Sequence, residues 1–272
     1  MNFIRAGLLS VGCLTAWASL AHAESSRLDQ IVKSKTLTVC TTGDYPPYSF
    51  RGADQQYQGL DIVMVQSLAQ SLAANIRYVP STWKTLMPDF LAQQCDIAVG
   101  GISVTLKRQQ QAWFAEPLGV DGKVPLVRCN EHKKYYRLEH INQPQVRVIE
   151  PEGGTNELFA RRYLSKAQIR LHDNVTIFDE LVHAKADVMI TDASEALYQQ
   201  QLRPSLCALN VEKPLQFGEK AYLLPKQDLH WKMYVDQWLH LSQASGDYER
   251  LKQQYLPKRY APQLGEKESA TQ

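Results

Sequence analysis

The chain carries no motif for metal, nucleotide or acyl-transfer chemistry. Its seven histidines show no HExxH or other ligand spacing, and its five cysteines form no CxxC. GxSxG, Walker and Rossmann fingerprints are missing too. These absences argue against a bound metal, a serine nucleophile and a nucleotide, so the expected site needs no cofactor. Charge of one sign is not in excess: 30 Lys and Arg face 28 Asp and Glu, a net +2. A nucleic-acid partner would call for a clustered basic surplus, so none is expected, and the His132-Lys133-Lys134 run reads as a solvated loop. Glycine (14) and proline (13) are too few for a low-complexity chain. No period of 20–50 residues recurs, which excludes a repeat protein.

Hydrophobic residues make up 44% of the 272 positions and charged residues 21%, ordinary values for a packed globular protein. Residues 1–23 read MNFIRAGLLSVGCLTAWASLAHA. Arg5, an apolar stretch and Ala21-His22-Ala23 have the pattern of a signal peptide with its cleavage site. The apolar run is shorter than the ~20 residues a membrane span needs, and no later stretch approaches that length. The expected place is a periplasm-like, oxidising compartment, with no lasting membrane insertion. Of the four later cysteines, Cys129 and Cys207 each close a strand-like run and are candidates for a disulfide. Cys40 ends one predicted strand and Cys95 begins another. In a parallel pair those positions fall at opposite sheet ends, so both are expected to be free core residues.

The remainder alternates strand and helix twice. LTVCT (37–41), a helix-period run Leu60–Leu72, Ile76–Val79, a helix Trp83–Leu91 and Asp96–Val99 make a βαβαβ unit. A turn-rich stretch, GDYPPYSFRGADQQYQG, separates the first two. A second unit runs from VRVI near Val146 through the helix TNELFARRYL, IRLH, TIFDELVHA, ADVMIT and ASEALYQQQL to CALNV. AYLLP and two long helices end the chain. An uninterrupted second unit inside the first predicts a two-lobe α/β fold, each lobe a mostly parallel sheet flanked by helices. The chain crosses at about Val124–Cys129 and returns near Gln216–Lys220. Lobe 1 is expected over 24–125 plus 219–262, lobe 2 over 126–218, and a flexible tail over 263–272. Ligands of such folds sit in the cleft between lobes.

The segments GDYPPYSF, GLDIVMVQSLA, GGISVTLKRQQQAWFAEP, GGTN and ADVMITDA resemble the type II periplasmic solute-binding fold for polar amino acids, over nearly the whole mature chain. Several segments are similar, more narrowly, to its catalytic branch, the cyclohexadienyl dehydratases: STWKTLMPDF, GGTNELFA, DNVTIF, KADVMITDASEA, EKAYLLP and YVDQWLH. That branch implies a lyase turning prephenate into phenylpyruvate and arogenate into phenylalanine, with loss of water and carbon dioxide. The wider fold implies the alternative, a receptor that hands an amino acid to a membrane permease without chemistry.

The resemblance assigns the α-carboxylate of the ligand to Arg108, six residues before Phe114, where a guanidinium fork suits bidentate binding. Ser103 offers a hydroxyl or carbonyl to the same end, or is a simple turn residue. Thr155, after Gly153-Gly154, opens a helix whose free N–H groups favour an anion, and is also an ordinary N-cap. Asp192 lies where open α/β sheets place ligands. It either meets the ammonium of arogenate or caps the next helix. Glu195, three residues after it, is by resemblance the general acid. Burial keeps such a carboxyl protonated at neutral pH. Trp83 would stack on the ring and exclude water. Tyr45 and Tyr48 are weaker candidates for the lobe-1 wall. Lys123 either neutralises a second carboxylate or is solvated near the hinge. One departure stands out. The branch carries Asn-Pro before Gly-Gly-Thr-Asn, with the amide on the substrate ring; this chain has Pro151-Glu152, with Glu150 before them.

Overall fold

A computed structural model describes residues 25–257; the signal-peptide and tail expectations lie outside them. The first sheet has five strands in the order Asn75–Pro80, Thr36–Thr41, Ile97–Ala98, Leu223–Pro225 and Ala112–Phe114. The first three run parallel, with Thr36 opposite Asn75 and Val39 opposite Ile97. Leu223–Pro225, from the far end of the chain, joins them antiparallel. The second sheet runs Gln168–His172, Arg147–Pro151, Val188–Asp192, Gly119–Arg128 and Leu206–Ala208. Arg147–Pro151 is parallel to both its neighbours, whereas Gly119–Arg128 is antiparallel to Val188–Asp192.

Runs of Val, Ile and Leu buried on both faces explain the central strands, such as Val188–Asp192, and helices cover them, whereas the edge strands Asn75–Pro80 and Gln168–His172 keep exposed residues. The Leu60–Ser71 helix buries Leu60, Ile62, Met64, Val65 and Leu68 in the first core. Phe178 and Leu181 of the Ile177–Val182 helix do the same in the second.

The chain passes between lobes on two paired strands. Gly119–Arg128 leaves and Gln216–Lys220 returns, with Gln216 opposite Lys123 and Lys220 opposite Gly119. Val124 and Leu126 already pack in the second core. Lys220 also bridges to Ser103, tying the return strand to the first lobe.

Two findings differ from the sequence reading. The turn-rich stretch after Thr41 folds into a small sheet of Asp44–Tyr45, Ser49–Arg51 and Tyr57–Gln58. Strands of two or three residues are too short to show a period-2 signal. Cys40 and Cys95 are not free: they form a disulfide, Cα–Cα 5.7 Å. The strand begins at Ile97, so Cys95 belongs to the turn after the Leu86–Leu91 helix. That turn brings it into the cluster of Leu86, Phe90 and Cys40. A second disulfide joins Cys129 to Cys207. The bridges close sequence separations of 55 and 78 residues, one in each lobe. Loops of this size remove denatured-state entropy, and losing such a bridge costs about 2–5 kcal/mol. Paired Cys→Ser replacement of either bridge is therefore expected to lower the melting temperature, which calorimetry checks; an unchanged melt would show the bridge to be without effect.

Candidate active site in the interlobe cleft

The lobes are closed upon each other. Gly153 has φ +87°, and a Cβ there would lie 2.5 Å from the Lys84 Cα, so this glycine permits the close approach of the two backbones. Lys84 Nζ reaches Glu152 at 2.8 Å across the mouth. Asn174 of lobe 2 donates to the Asp44 carbonyl of lobe 1 at 2.8 Å. Between them lies a small cavity of ≈ 10 Å³, the closed remnant of the cleft, lined by Tyr45, Trp83, Gly101, Ser103, Pro151, Gly154, Thr155, Asn156 and Asp192.

Lobe 1 contributes the aromatic wall. Trp83 sits in the turn before its helix rather than in the core, half-buried, edge-on to Tyr45 with ring centroids 5.2 Å apart. Tyr48 is buried and stacks behind Tyr45 at 6.1 Å. The loop carrying Ser103 is fixed from below. Buried Asp61 accepts from the N–H groups of Gly100 (3.0 Å) and Gly101 (2.7 Å). Burial pushes its carboxyl up to about 6, against the pull of those N–H groups.

Arg108 is buried but does not line the cavity. Its Nη1 donates to the Ser103 carbonyl at 2.8 Å, while the Ser103 hydroxyl accepts from Lys220 Nζ at 3.1 Å. Burial pushes the guanidinium down to about 10.

Lobe 2 contributes the strand end Thr191-Asp192 and two helix starts. Thr155 is the first residue of the Thr155–Tyr163 helix. Asp192 precedes the Ala193–Leu202 helix without capping it through its side chain. Both its oxygens are engaged instead. Oδ1 is 2.8 Å from Lys123 Nζ; Oδ2 accepts from Tyr45 Oη at 2.6 Å and from Lys220 Nζ. Burial pushes this carboxyl up, but Lys123 and Lys220 outweigh it and hold it well below the usual carboxylate range. Lys123 is buried, not solvated, and also donates to Thr155 Oγ1 (2.9 Å) and to Asn156 Oδ1.

Glu195 lies in the first turn of the Ala193–Leu202 helix and is fully buried. It does not line the closed cavity; its neighbours Asp192 and Tyr45 do. Oε2 accepts from Thr191 Oγ1, which in turn accepts from Asn156 Nδ2 at 3.2 Å. Oε1 has no partner. Burial pushes this carboxyl up to about 8; the Thr191 hydroxyl and Lys220 oppose, while Asp192 and Asp44 add to the rise. A helix N-terminus favours the anion, yet desolvation outweighs it here.

The departure at Pro151 is explained without charge repulsion. Glu152 is exposed and paired with Lys84. Glu150 points into the lobe-2 interior, accepts from the Ile190 N–H at 2.8 Å, and burial raises its carboxyl well above the usual range. Neither presents an unpaired anion to the cavity.

Sequence reasoning missed Lys220, Asn156, Thr191 and Asp44. Lys220 and Asn156 stand inside quoted segments, EKAYLLP and GGTN. The strand that carries Lys220, Gln216–Lys220, reads QFGEK, so no apolar contrast singles the lysine out.

Comparison with known proteins agrees with this architecture. The family model for bacterial extracellular solute-binding proteins, family 3, matches residues 37–258. The cyclohexadienyl dehydratase of Pseudomonas aeruginosa is 47% identical over 253 residues, 92% of this chain and 94% of its own length. A crystal structure of an ancestral cyclohexadienyl dehydratase is 48% identical with a TM-score of 0.54, covering 86% of this chain and 98% of that one. An ancestral amino acid-binding protein, described as a precursor of cyclohexadienyl dehydratase, is 31% identical with a TM-score of 0.80, covering 85% and 100%. This chain belongs to family 3 of the bacterial extracellular solute-binding proteins, on its cyclohexadienyl dehydratase branch.

Proposed function

We propose that the protein is a periplasmic dehydratase that converts prephenate to phenylpyruvate and arogenate to phenylalanine. The observation that carries this reading is Glu195: a wholly buried carboxyl, raised to about 8, with one oxygen lacking any partner. A buried polar atom without a partner costs about 1–3 kcal/mol. A substrate hydroxyl placed against it removes that cost and receives the proton.

The step balances as follows. The ring carboxylate leaves as carbon dioxide, and its bonding pair enters the ring. The ring C–O bond breaks, and the departing hydroxyl takes the proton of Glu195 and leaves as water. Aromatisation supplies the driving force. Glu195 is left as a carboxylate and regains a proton from solvent when the lobes part. With substrate bound, Arg108 turns from the Ser103 carbonyl and, with Thr155, holds the side-chain carboxylate from opposite lobes, with the helix N–H groups behind Thr155. Trp83 covers the ring and keeps water out.

A receptor for amino acids would use Arg108, Thr155, Ser103 and Asp192 and leave Glu195 and Trp83 without a task. It would also require Asp192 to abandon its lysines. The test is turnover by the mature protein, read as phenylpyruvate formed from prephenate. Turnover supports the dehydratase; tight binding of a common amino acid with no turnover of either cyclohexadiene would install the receptor. Within the dehydratase reading, Arg108→Met is expected to raise KM about 10–100-fold, the worth of one charge-assisted pair, with kcat less affected. An unchanged KM would remove Arg108 from the carboxylate site.

A further inference from the structure

We infer that the cleft selects an α-keto acid against an α-ammonium acid, so that prephenate is preferred to arogenate, and that Lys220 is the residue that decides it. The inference rests on the dehydratase reading and deepens it. An ammonium ligand needs a carboxylate with an open oxygen. Asp192 is the one acidic residue lining the cavity, and its charge is already shared by two ammonium groups: Oδ1 faces Lys123, and Oδ2 accepts from Tyr45 and Lys220. The next carboxylate inward, Asp121, accepts from Ser194 Oγ (2.6 Å) and the Gly122 N–H (2.9 Å), with Lys220 3.9 Å away. A ligand ammonium would therefore arrive as a third cation beside Lys123 and Lys220, competing with both for the one carboxylate that faces it. Like charges juxtaposed in a desolvated site repel by several kcal/mol.

A keto oxygen faces the opposite situation, and a donor count names its partner. A lysine has three N–H donors. Those of Lys123 are spent on Asp192, Thr155 and Asn156. Lys220 spends one on Asp192 and one on Ser103 Oγ at 3.1 Å. Its third has only long contacts, Tyr45 Oη at 3.5 Å, an oxygen already committed as donor to Asp192, and Asp121 Oδ2 at 3.9 Å. Ser103 and Tyr45 both line the cavity, so this loosely held donor lies just behind the wall, where a keto oxygen accepts it and an ammonium cannot.

The experiment compares kcat/KM for prephenate and for arogenate in the wild type, Lys220→Met and Lys220→Arg. The wild type is expected to favour prephenate by at least about tenfold. Lys220→Met, which leaves Asp192 Oδ2 with Tyr45 alone, shrinks that ratio at least about fivefold; Lys220→Arg, which keeps the cation, preserves it. A merely structural lysine would lower both substrates together and leave the ratio in place. Equal or better use of arogenate by the wild type overturns the inference, as does an unchanged ratio in a folded Lys220→Met. If neither substrate is turned over, the dehydratase reading falls. Calorimetric binding to the wild type then decides the selectivity alone: phenylpyruvate tighter than L-phenylalanine supports it, and the reverse overturns it.

Discussion

Glu195→Gln should leave a folded protein that still binds its substrate and turns it over about 10²–10⁴-fold more slowly, the range that a positioned general acid supplies. The amide keeps the shape and can still accept from Thr191, but it has no acidic proton for the leaving hydroxyl. The loss belongs in kcat, with KM nearly unchanged; rapid-quench or steady-state assay of phenylpyruvate formation checks it, and full turnover would remove the mechanism. The same variant should be more stable than the wild type at neutral and alkaline pH. The folded carboxyl holds its proton to about 8, against 4.5 for an ordinary glutamate. Between those values the unfolded chain binds fewer protons, so this group's contribution falls as pH rises, by about 1.4 kcal/mol per pH unit. Glutamine carries no such dependence, so the melting curves of the two proteins converge toward pH 4.5 and separate above it. Wild-type turnover falls above about pH 8, where the acid is lost.

Asp192→Asn is expected to strike stability rather than chemistry alone. The substitution leaves Lys123 and Lys220 buried without their shared anion, and removing one partner of a buried ionic group costs about 3–5 kcal/mol. Urea denaturation should show the midpoint falling with the slope unchanged. A depressed carboxyl stabilises the fold above its unfolded value of 3.8 and loses that contribution only as pH falls below it. Asp192 therefore stays charged wherever Glu195 titrates and adds nothing to a pH profile near neutrality. A variant as stable as the wild type would mean that the lysines find other partners.

The alternation of apolar runs such as LTVC and ADVMIT with helix-period segments made the two lobes legible, because strands buried on both faces carry an unbroken hydrophobic signal. The cavity wall was legible where a residue stood at a strand end or helix start, as Asp192 and Thr155 do. Three things were not. Strands of two residues around Tyr45 leave no periodicity to detect. The Cys40–Cys95 bridge depends on a turn whose path sequence spacing does not reveal. Charge pairing inside the cleft joins residues far apart in the chain: Lys220 meets Asp192, and Tyr45 meets it from the other lobe. The sequence left Asp192 between an ammonium contact and a helix cap, and Lys123 between a ligand carboxylate and solvent, whereas the fold pairs the two with each other. Glu150 precedes the departure at Pro151 in the chain, and only the fold shows that it turns inward onto the Ile190 N–H.

The most direct measurement is the protonation state of Glu195 itself. Carbon-13 NMR of protein labelled at the glutamate carboxyl, with Glu195→Gln identifying the resonance, follows it through a pH titration. A carboxyl that stays protonated through neutrality and titrates near pH 8 is the expected result. A midpoint near 4.5 would mean a hydrated carboxylate with no proton to give, and would contradict the dehydratase mechanism at its first step.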